Sequence, residues 1–193
     1  MIEITYIFRI LLYRAKNMPH NILVKNSGVF TRIQSFSNIF NILMHSNKID
    51  IPIEGSKVLD LYSGVGSFGL ECISRGSKKV SFVERNSASY RILNDNLDKL
   101  SLLSKAEIYN QDVDSFIKIN LKKKYNIFFF DPPFANNNFI DNLKALKEKQ
   151  TFEKKHIIII HREIKTKIDF DNICNIIMMR QYGRSKIFFG SFN

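Results

Sequence analysis

The sequence predicts an α/β fold built on a mainly parallel sheet, and three observations carry that expectation. From Lys57 onward, short apolar runs alternate with segments of helical periodicity, the pattern of strands crossed over by helices. Glycines cluster directly after the first of those runs, where a tight strand-to-helix turn is needed. The chain closes with two strand-like runs around Tyr182-Gly183-Arg184, the mark of a terminal antiparallel hairpin.

The elements follow in order. Residues 2–12 alternate, with Ile2, Ile4, Tyr6, Phe8, Ile10 and Leu12 on one side, and read as a half-buried strand. Residues 13–30 read as a loop or second short strand punctuated by Pro19, Asn26 and Gly28. Ile33, Phe36, Phe40 and Leu43 recur at helical spacing, which predicts a helix over 31–46 with Asn47 as terminator. Residues 1–47 therefore form an N-terminal strand/helix extension, and 48–193 the main domain. Within the latter, strands are expected at 57–62, 80–84, 106–109, 127–130, 156–161, 173–180 and 186–189, seven in all. Helices are expected at 67–75, 87–100, 113–121 and 138–149.

Composition narrows the function classes. With 193 residues, 45% of them hydrophobic, the chain is one domain's length with ample core material. No apolar run reaches the roughly 18 residues of a spanning helix, because Arg9 and Arg14 interrupt the N-terminal stretch. Glu3 and the lack of a small-residue cleavage site weigh against a signal peptide. Cys72 and Cys174 are too few for a disulfide scaffold or a Cys-rich zinc site, so a reducing cytoplasm is expected. The 29 basic against 18 acidic residues, a formal charge of +11, suggest a polyanionic partner such as nucleic acid. The excess sits at the ends, +4 in residues 1–50 and +4 in 151–193. Ile, Lys, Asn and Phe supply 84 residues against five Ala, so AT-rich codon usage is a competing source of the lysines.

Four of the eight glycines, Gly64, Gly66, Gly69 and Gly76, fall within 13 residues. Gly64-Val65-Gly66-Ser67-Phe68-Gly69 matches the dinucleotide fingerprint, and Glu84 ends the next strand 20 residues on, placed for ribose hydroxyls. A nucleoside-containing cofactor is expected; the glycines do not say which. Asp60, inside the preceding strand, is unusual for a nicotinamide site and suits a cationic ligand such as S-adenosylmethionine, with its amino group and sulfonium. The alternative is a carboxylate capping the loop's own amides.

Asp131-Pro132-Pro133-Phe134 ends a strong apolar strand, at the sheet edge where ligands bind in open parallel sheets. Two prolines stiffen the loop and remove two donors, leaving acceptors. Asp131 and the Pro132 carbonyl could accept hydrogen bonds from an exocyclic amine while Phe134 stacks on its ring, a contact worth roughly 1–3 kcal/mol. A helix-initiating turn with a buried Phe134 is the plainer alternative.

The run Asp60-Leu61-Tyr62-Ser63-Gly64-Val65-Gly66-Ser67-Phe68-Gly69-Leu70-Glu71-Cys72-Ile73-Ser74-Arg75-Gly76, followed by Asp131-Pro132-Pro133-Phe134, resembles the RsmD-type bacterial 16S ribosomal RNA guanine-N2 methyltransferases. Ile39-Phe40-Asn41-Ile42-Leu43 resembles that family's Leu-Phe-Asn-x-Leu helix, and Gln181-Tyr182-Gly183-Arg184-Ser185 its Tyr-Gly segment. The resemblance implies a Rossmann-like class I methyltransferase, with a seven-stranded, mostly parallel sheet and S-adenosylmethionine across the glycine turn. It implies a cofactor set of Asp60, Tyr62, Ser63, Gly64, Gly66, Glu84, Asp112 and Val113. Asp60, Gly64 and Gly66 would hold the methionine end, Glu84 the ribose and Asp112 the adenine amine. Asp131, Pro132, Pro133 and Phe134 would receive a flipped-out guanine of the small ribosomal subunit. A cytoplasmic monomer without metal is expected. Two departures stand out: Gln34-Ser35-Phe36-Ser37 replaces the family's Arg-x-Arg-Glu run, and residues 9–30 replace its basic, glycine-rich hairpin.

Rival readings are an adenine-N6 or other nucleic-acid amino methyltransferase, a nicotinamide-dependent oxidoreductase, and a non-catalytic ribosome-assembly factor of the same fold. His20, His45, His156 and His161 lack metal-ligand spacing and read as structural or surface residues, with His161 ending a strand. Lys122-Lys123-Lys124 reads as a solvated loop.

Overall fold

The structure, a computed structural model, describes residues 38–120, 123–133 and 138–193. The strand expected at 2–12, the loop at 13–30, the first part of the helix at 31–46, the two N-terminal departures and Phe134 lie outside the described residues.

Seven strands form one sheet: β1 (Lys57–Leu61), β2 (Lys79–Val83), β3 (Ala106–Tyr109), β4 (Tyr125–Phe130), β5 (Phe152–Glu163), β6 (Cys174–Tyr182) and β7 (Ser185–Phe192). Their spatial order is β3-β2-β1-β4-β5-β7-β6. The β1–β2, β1–β4, β2–β3 and β4–β5 pairs are parallel, and β7 lies antiparallel between β5 and β6. This is the expected sheet with its terminal hairpin. The helices are α1 (38–45), α2 (Ser67–Ser74), α3 (Ser87–Lys99), α4 (Val113–Asn120) and α5 (Phe139–Glu148). None of the described helices is long and apolar enough to cross a membrane.

Strand alternation divides the core into two layers. Val58, Val80, Phe82, Ile127, Phe129, Ile157 and Ile159 face α1, α2 and α3. Leu59, Leu61, Val83, Phe128, Phe130, Ile158 and Ile160 face α4 and α5. In the first layer the rings of Phe40, Phe68 and Phe129 stack in series, with centroids 5.1 and 4.1 Å apart, so α1 is packed into the same core as the glycine turn. Gly69 makes this packing possible: a Cβ there would meet the Phe82 ring and lie 2.8 Å from Val80 Cγ1.

Element edges match the expectation closely except at two strands: β7 spans eight residues, Ser185–Phe192, rather than the four at 186–189, and β5 departs most. β5 spans 12 residues rather than the six at 156–161. Its early part is carried past a register shift by the Tyr125–Phe152 pair, and its late part by the Glu163–Ser185 pair with β7. Both ends of β5 depend on partner strands, which local periodicity does not report.

Candidate active site

The sheet order reverses at β1. The chain runs outward through β2 and β3, then returns to place β4 on the other side of β1, opening a crevice at their carboxyl ends. Asp60 and Asp131 come from the two strands flanking that crevice, and the Asp131 amide lies 3.5 Å from the Leu61 carbonyl oxygen.

The glycine turn is held from both sides. Gly66 is the N-cap of α2 at φ 84°, a left-handed conformation glycine adopts without strain. Its amide donates to the Ser63 carbonyl (2.8 Å), and the Ser63 amide donates to the Val83 carbonyl at the end of β2 (3.0 Å). Gly64 has φ 56°, and a Cβ there would meet nothing within 4 Å among the described residues. Tyr62 also has φ 61°, a costly conformation for a bulky residue. Its hydroxyl accepts a hydrogen bond from Asn142 Nδ2 of α5 (2.9 Å), which anchors the ring.

Asp60 is 1% exposed. Its Oδ2 accepts the Gly69 amide (3.0 Å), satisfying an otherwise orphaned donor in the first turn of α2. The capping role weighed for this residue is therefore real, but it occupies one oxygen only. Oδ1 is buried without a hydrogen-bond partner among the described residues. Burial drives the Asp60 pKa well above the usual carboxylate range; the Gly69 amide opposes this, and the charges of Asp131 and Glu84 reinforce it.

Glu84 sits directly after β2. Its Oε2 accepts the Gly64 amide (2.8 Å) and its Oε1 the Asn86 amide (2.6 Å), so the carboxylate braces the glycine turn. Asn110 Nδ2 donates to the Glu84 carbonyl (2.9 Å), tying the end of β3 to the same corner. Asp112 is exposed and caps α4, accepting from the Ser115 amide (2.8 Å) and hydroxyl (2.9 Å), which hold its pKa below the usual range. Val113, the next residue, is buried against the second core layer. Neighbouring Gln111 Nε2 is buried with no partner among the described residues, a donor the sequence reading passed over.

At β4's end, Asp131 Oδ1 lies 2.8 Å from His161 Nδ1, with the two side chains only 9% and 4% exposed. Pro132 is buried and Pro133 exposed. Both of their carbonyls accept from Arg162 Nη1, at 3.2 and 3.0 Å. Arg162 is 0% exposed and its guanidinium lies 4.7 Å from the centre of the Phe139 ring. So the Pro132 carbonyl, considered above for an incoming amine, already carries one donor; a carbonyl has a second lone pair.

His161 and Arg162 were not promoted from the sequence. His161 does not end its strand but stands two residues inside β5, against Asp131. A signal was available: two polar residues follow Ile157–Ile160, an entirely apolar run, at the same sheet edge as Asp131. His156 is structural, its Nε2 accepting the Phe192 amide (2.9 Å). Lys123 is exposed in a loop, as expected, and pairs there with Glu107 (2.6 Å).

Comparison with known proteins shows the family and the fold. The family described as conserved hypothetical protein 95 matches residues 32–191. The Ribosomal RNA small subunit methyltransferase D of Buchnera aphidicola is 27% identical over 166 residues, covering 78% of this chain and 86% of that protein. A candidate methylase from Haemophilus influenzae, solved as a crystal structure, superposes with a TM-score of 0.69 at 28% identity, over 84% of this chain and 99% of its own. A Thermus thermophilus 16S rRNA N2 methyltransferase, solved with AdoMet and guanosine, shares the fold, with a TM-score of 0.57 at 18% identity over 72% of this chain and 38% of its own. The family match spans most of the chain, and this chain belongs to that family, the conserved hypothetical protein 95 or RsmD-type methyltransferases.

Proposed function

We propose that this chain is an RNA methyltransferase that uses S-adenosylmethionine to methylate the exocyclic N2 amine of a guanine in small-subunit ribosomal RNA. One observation carries the reading: in a chain of formal charge +11, the crevice gathers the carboxylates of Asp60, Glu84 and Asp131, close enough that the latter two raise the Asp60 pKa. A cationic cofactor relieves that repulsion, and a polyanionic substrate suits the remaining surface.

The residues present fit such a cofactor. Asp60 Oδ1 is a buried acceptor without a partner among the described residues, suited to an ammonium group. The open space beside Gly64 lets a ligand approach the backbone. Glu84 keeps lone pairs beyond the two amides it accepts, as a pair of ribose hydroxyls would need. Tyr62 and Ser63 shape the turn, while Asp112 and Val113, at the start of α4, would meet the adenine. When bound, S-adenosylmethionine supplies a sulfonium-activated methyl group.

The chain's own task is then positioning and exclusion of water. Asp131 would accept from the amine and orient its nitrogen lone pair toward the activated methyl group; transfer would release the neutral thioether S-adenosylhomocysteine, and the proton lost by the nitrogen would pass to solvent after the C–N bond forms. The Pro132-Pro133 backbone, held by Arg162, keeps that carboxylate at a fixed height. Phe134 is assigned to stacking on the base, which must be flipped from its stack at a cost of a few kcal/mol. Residues 1–47 are assigned to RNA contact, and the protein to the cytoplasm as a monomer.

The test is transfer of labelled methyl from S-adenosylmethionine to small ribosomal subunits lacking their native methylations, with nucleoside analysis of the product. N2-methylguanine made by the parent chain and not by an Asp131→Ala variant is the expected result. N6-methyladenine instead would move the substrate, and no incorporation despite measurable cofactor binding would overturn the reading.

A further inference from the structure

The end of β5 carries two polar residues, His161 and Arg162, at a depth where the rest of the strand is isoleucine. In the β4–β5 ladder Phe130 pairs with Ile160, so Asp131 and His161 are each the next residue beyond that pair. Strand alternation carries both side chains to the same side of the sheet, and they meet there at 2.8 Å. Arg162 points the other way, to the prolyl carbonyls and the Phe139 ring. Adjacent residues of one strand therefore grip the two halves of the same loop, its carboxylate and its backbone.

We infer that His161 is a positioning residue for methyl transfer: its Nδ1–H donates to Asp131 Oδ1 and thereby sets the plane in which the carboxylate receives the substrate amine. The inference rests on the reading of Asp131 as the amine acceptor and adds the group that orients it. An ionised carboxylate is acceptor-only, so the 2.8 Å contact requires the proton on Nδ1. At 4% and 9% side-chain exposure the pair is shielded from water, which strengthens the bond. A hydrogen bond from a packed imidazole to one oxygen restricts rotation of the carboxylate about its Cβ–Cγ bond. Misplacement by about 1 Å can cost on the order of 100-fold in rate.

The experiment compares His161→Asn, His161→Gln and His161→Leu in the full chain, using the labelled-methyl assay on undermethylated small subunits. Cofactor affinity and thermal melting are measured beside it. An asparagine amide nitrogen falls near the Nδ1 position, whereas the glutamine amide reaches toward Nε2. The expected result is kcat within about 5-fold of the parent for Asn, and a loss of roughly 30- to 100-fold for Gln and Leu. KM for the subunit and cofactor Kd should stay within about 3-fold in all three, since neither depends on the carboxylate's rotation.

Equal activity for Asn and Gln would overturn the inference, because a space-filling role does not distinguish donor positions. So would a parallel loss of cofactor affinity or of cooperative melting in all three variants, which marks a structural histidine. If only the Leu variant fails to fold, the Asn–Gln comparison decides. A parent chain that methylates no guanine amine refutes the underlying reading and takes this one with it; an active parent with insensitive variants refutes this one alone.

Discussion

Replacing Asp60 by asparagine should raise stability and abolish tight cofactor binding, two effects of opposite sign from one atom's environment. The side chain is 1% exposed, with Oδ2 satisfied by the Gly69 amide at 3.0 Å and Oδ1 lacking a partner among the described residues. Asparagine keeps an oxygen for Gly69 but removes a buried charge facing Asp131 and Glu84. Leaving a buried polar atom unpaired costs about 1–3 kcal/mol, and more when it is charged. A net gain on the order of 1 kcal/mol is expected, which raises Tm by about 2–4 °C in a domain of this size. Binding moves the other way: a hydrogen bond to a charged group is worth roughly 1.5–3 kcal/mol, so S-adenosylmethionine should bind about 10- to 150-fold more weakly.

The pH dependence follows from the direction of the shift. The folded Asp60 pKa lies above the unfolded value of about 3.9, so between the two the native state holds more protons and stability falls as pH rises. The Tm advantage of the asparagine variant should be largest above the folded pKa and vanish toward pH ~4. Calorimetric titration and thermal melts across pH measure both. A lower Tm with unchanged affinity would refute the reasoning and reduce Asp60 to a cap for α2.

Three further outcomes are expected. Gly69→Ala places a methyl against the Phe82 ring and 2.8 Å from Val80 Cγ1, so it should lower stability by about 1–3 kcal/mol in urea unfolding; an unchanged midpoint would mean the layer yields freely. Arg162→Lys supplies a point charge that cannot serve both prolyl carbonyls and lie flat on Phe139, and should lower stability by about 1–3 kcal/mol and kcat with it, while cofactor affinity holds. Tyr125, buried and donating to Ser81 Oγ at 3.1 Å, has its pKa raised by burial to about 12. The unfolded chain ionises first, near pH 10, so this residue's contribution to stability should fall between pH 10 and 12 by roughly 1.4 kcal/mol per unit, and Tyr125→Phe should flatten that slope in alkaline unfolding.

The two halves of the site were legible to different degrees. Gly64, Gly66 and Gly69 could be read because a rare residue, repeated after a strand, marks a backbone that few others can follow. Asp131-Pro132-Pro133 could be read because proline restricts the chain whatever surrounds it. Asp60 was legible as an oddity, but not as a carboxylate divided between capping α2 and facing the crevice. The role of Glu84 is read from its spacing after the glycine fingerprint and that of Asp112 from resemblance; their bonds to Gly64 and Ser115 came only with the structure. His161 and Arg162 escaped because each is 29 or more residues from the atoms it holds, and no local spacing records that.

By itself, the sequence determined the α/β class, the glycine turn, the stiff acidic loop and the family they belong to, since these depend on periodicity and on residues with intrinsic conformational limits. Only the tertiary structure decided that β4 returns beside β1, that Asp131 and Glu84 come near enough to Asp60 for their charges to act on it, and that β5 presents His161 to Asp131 at 2.8 Å. Strand order and ladder register arise from burying two apolar layers at once, and a bond between neighbouring strands exists only after that register is set.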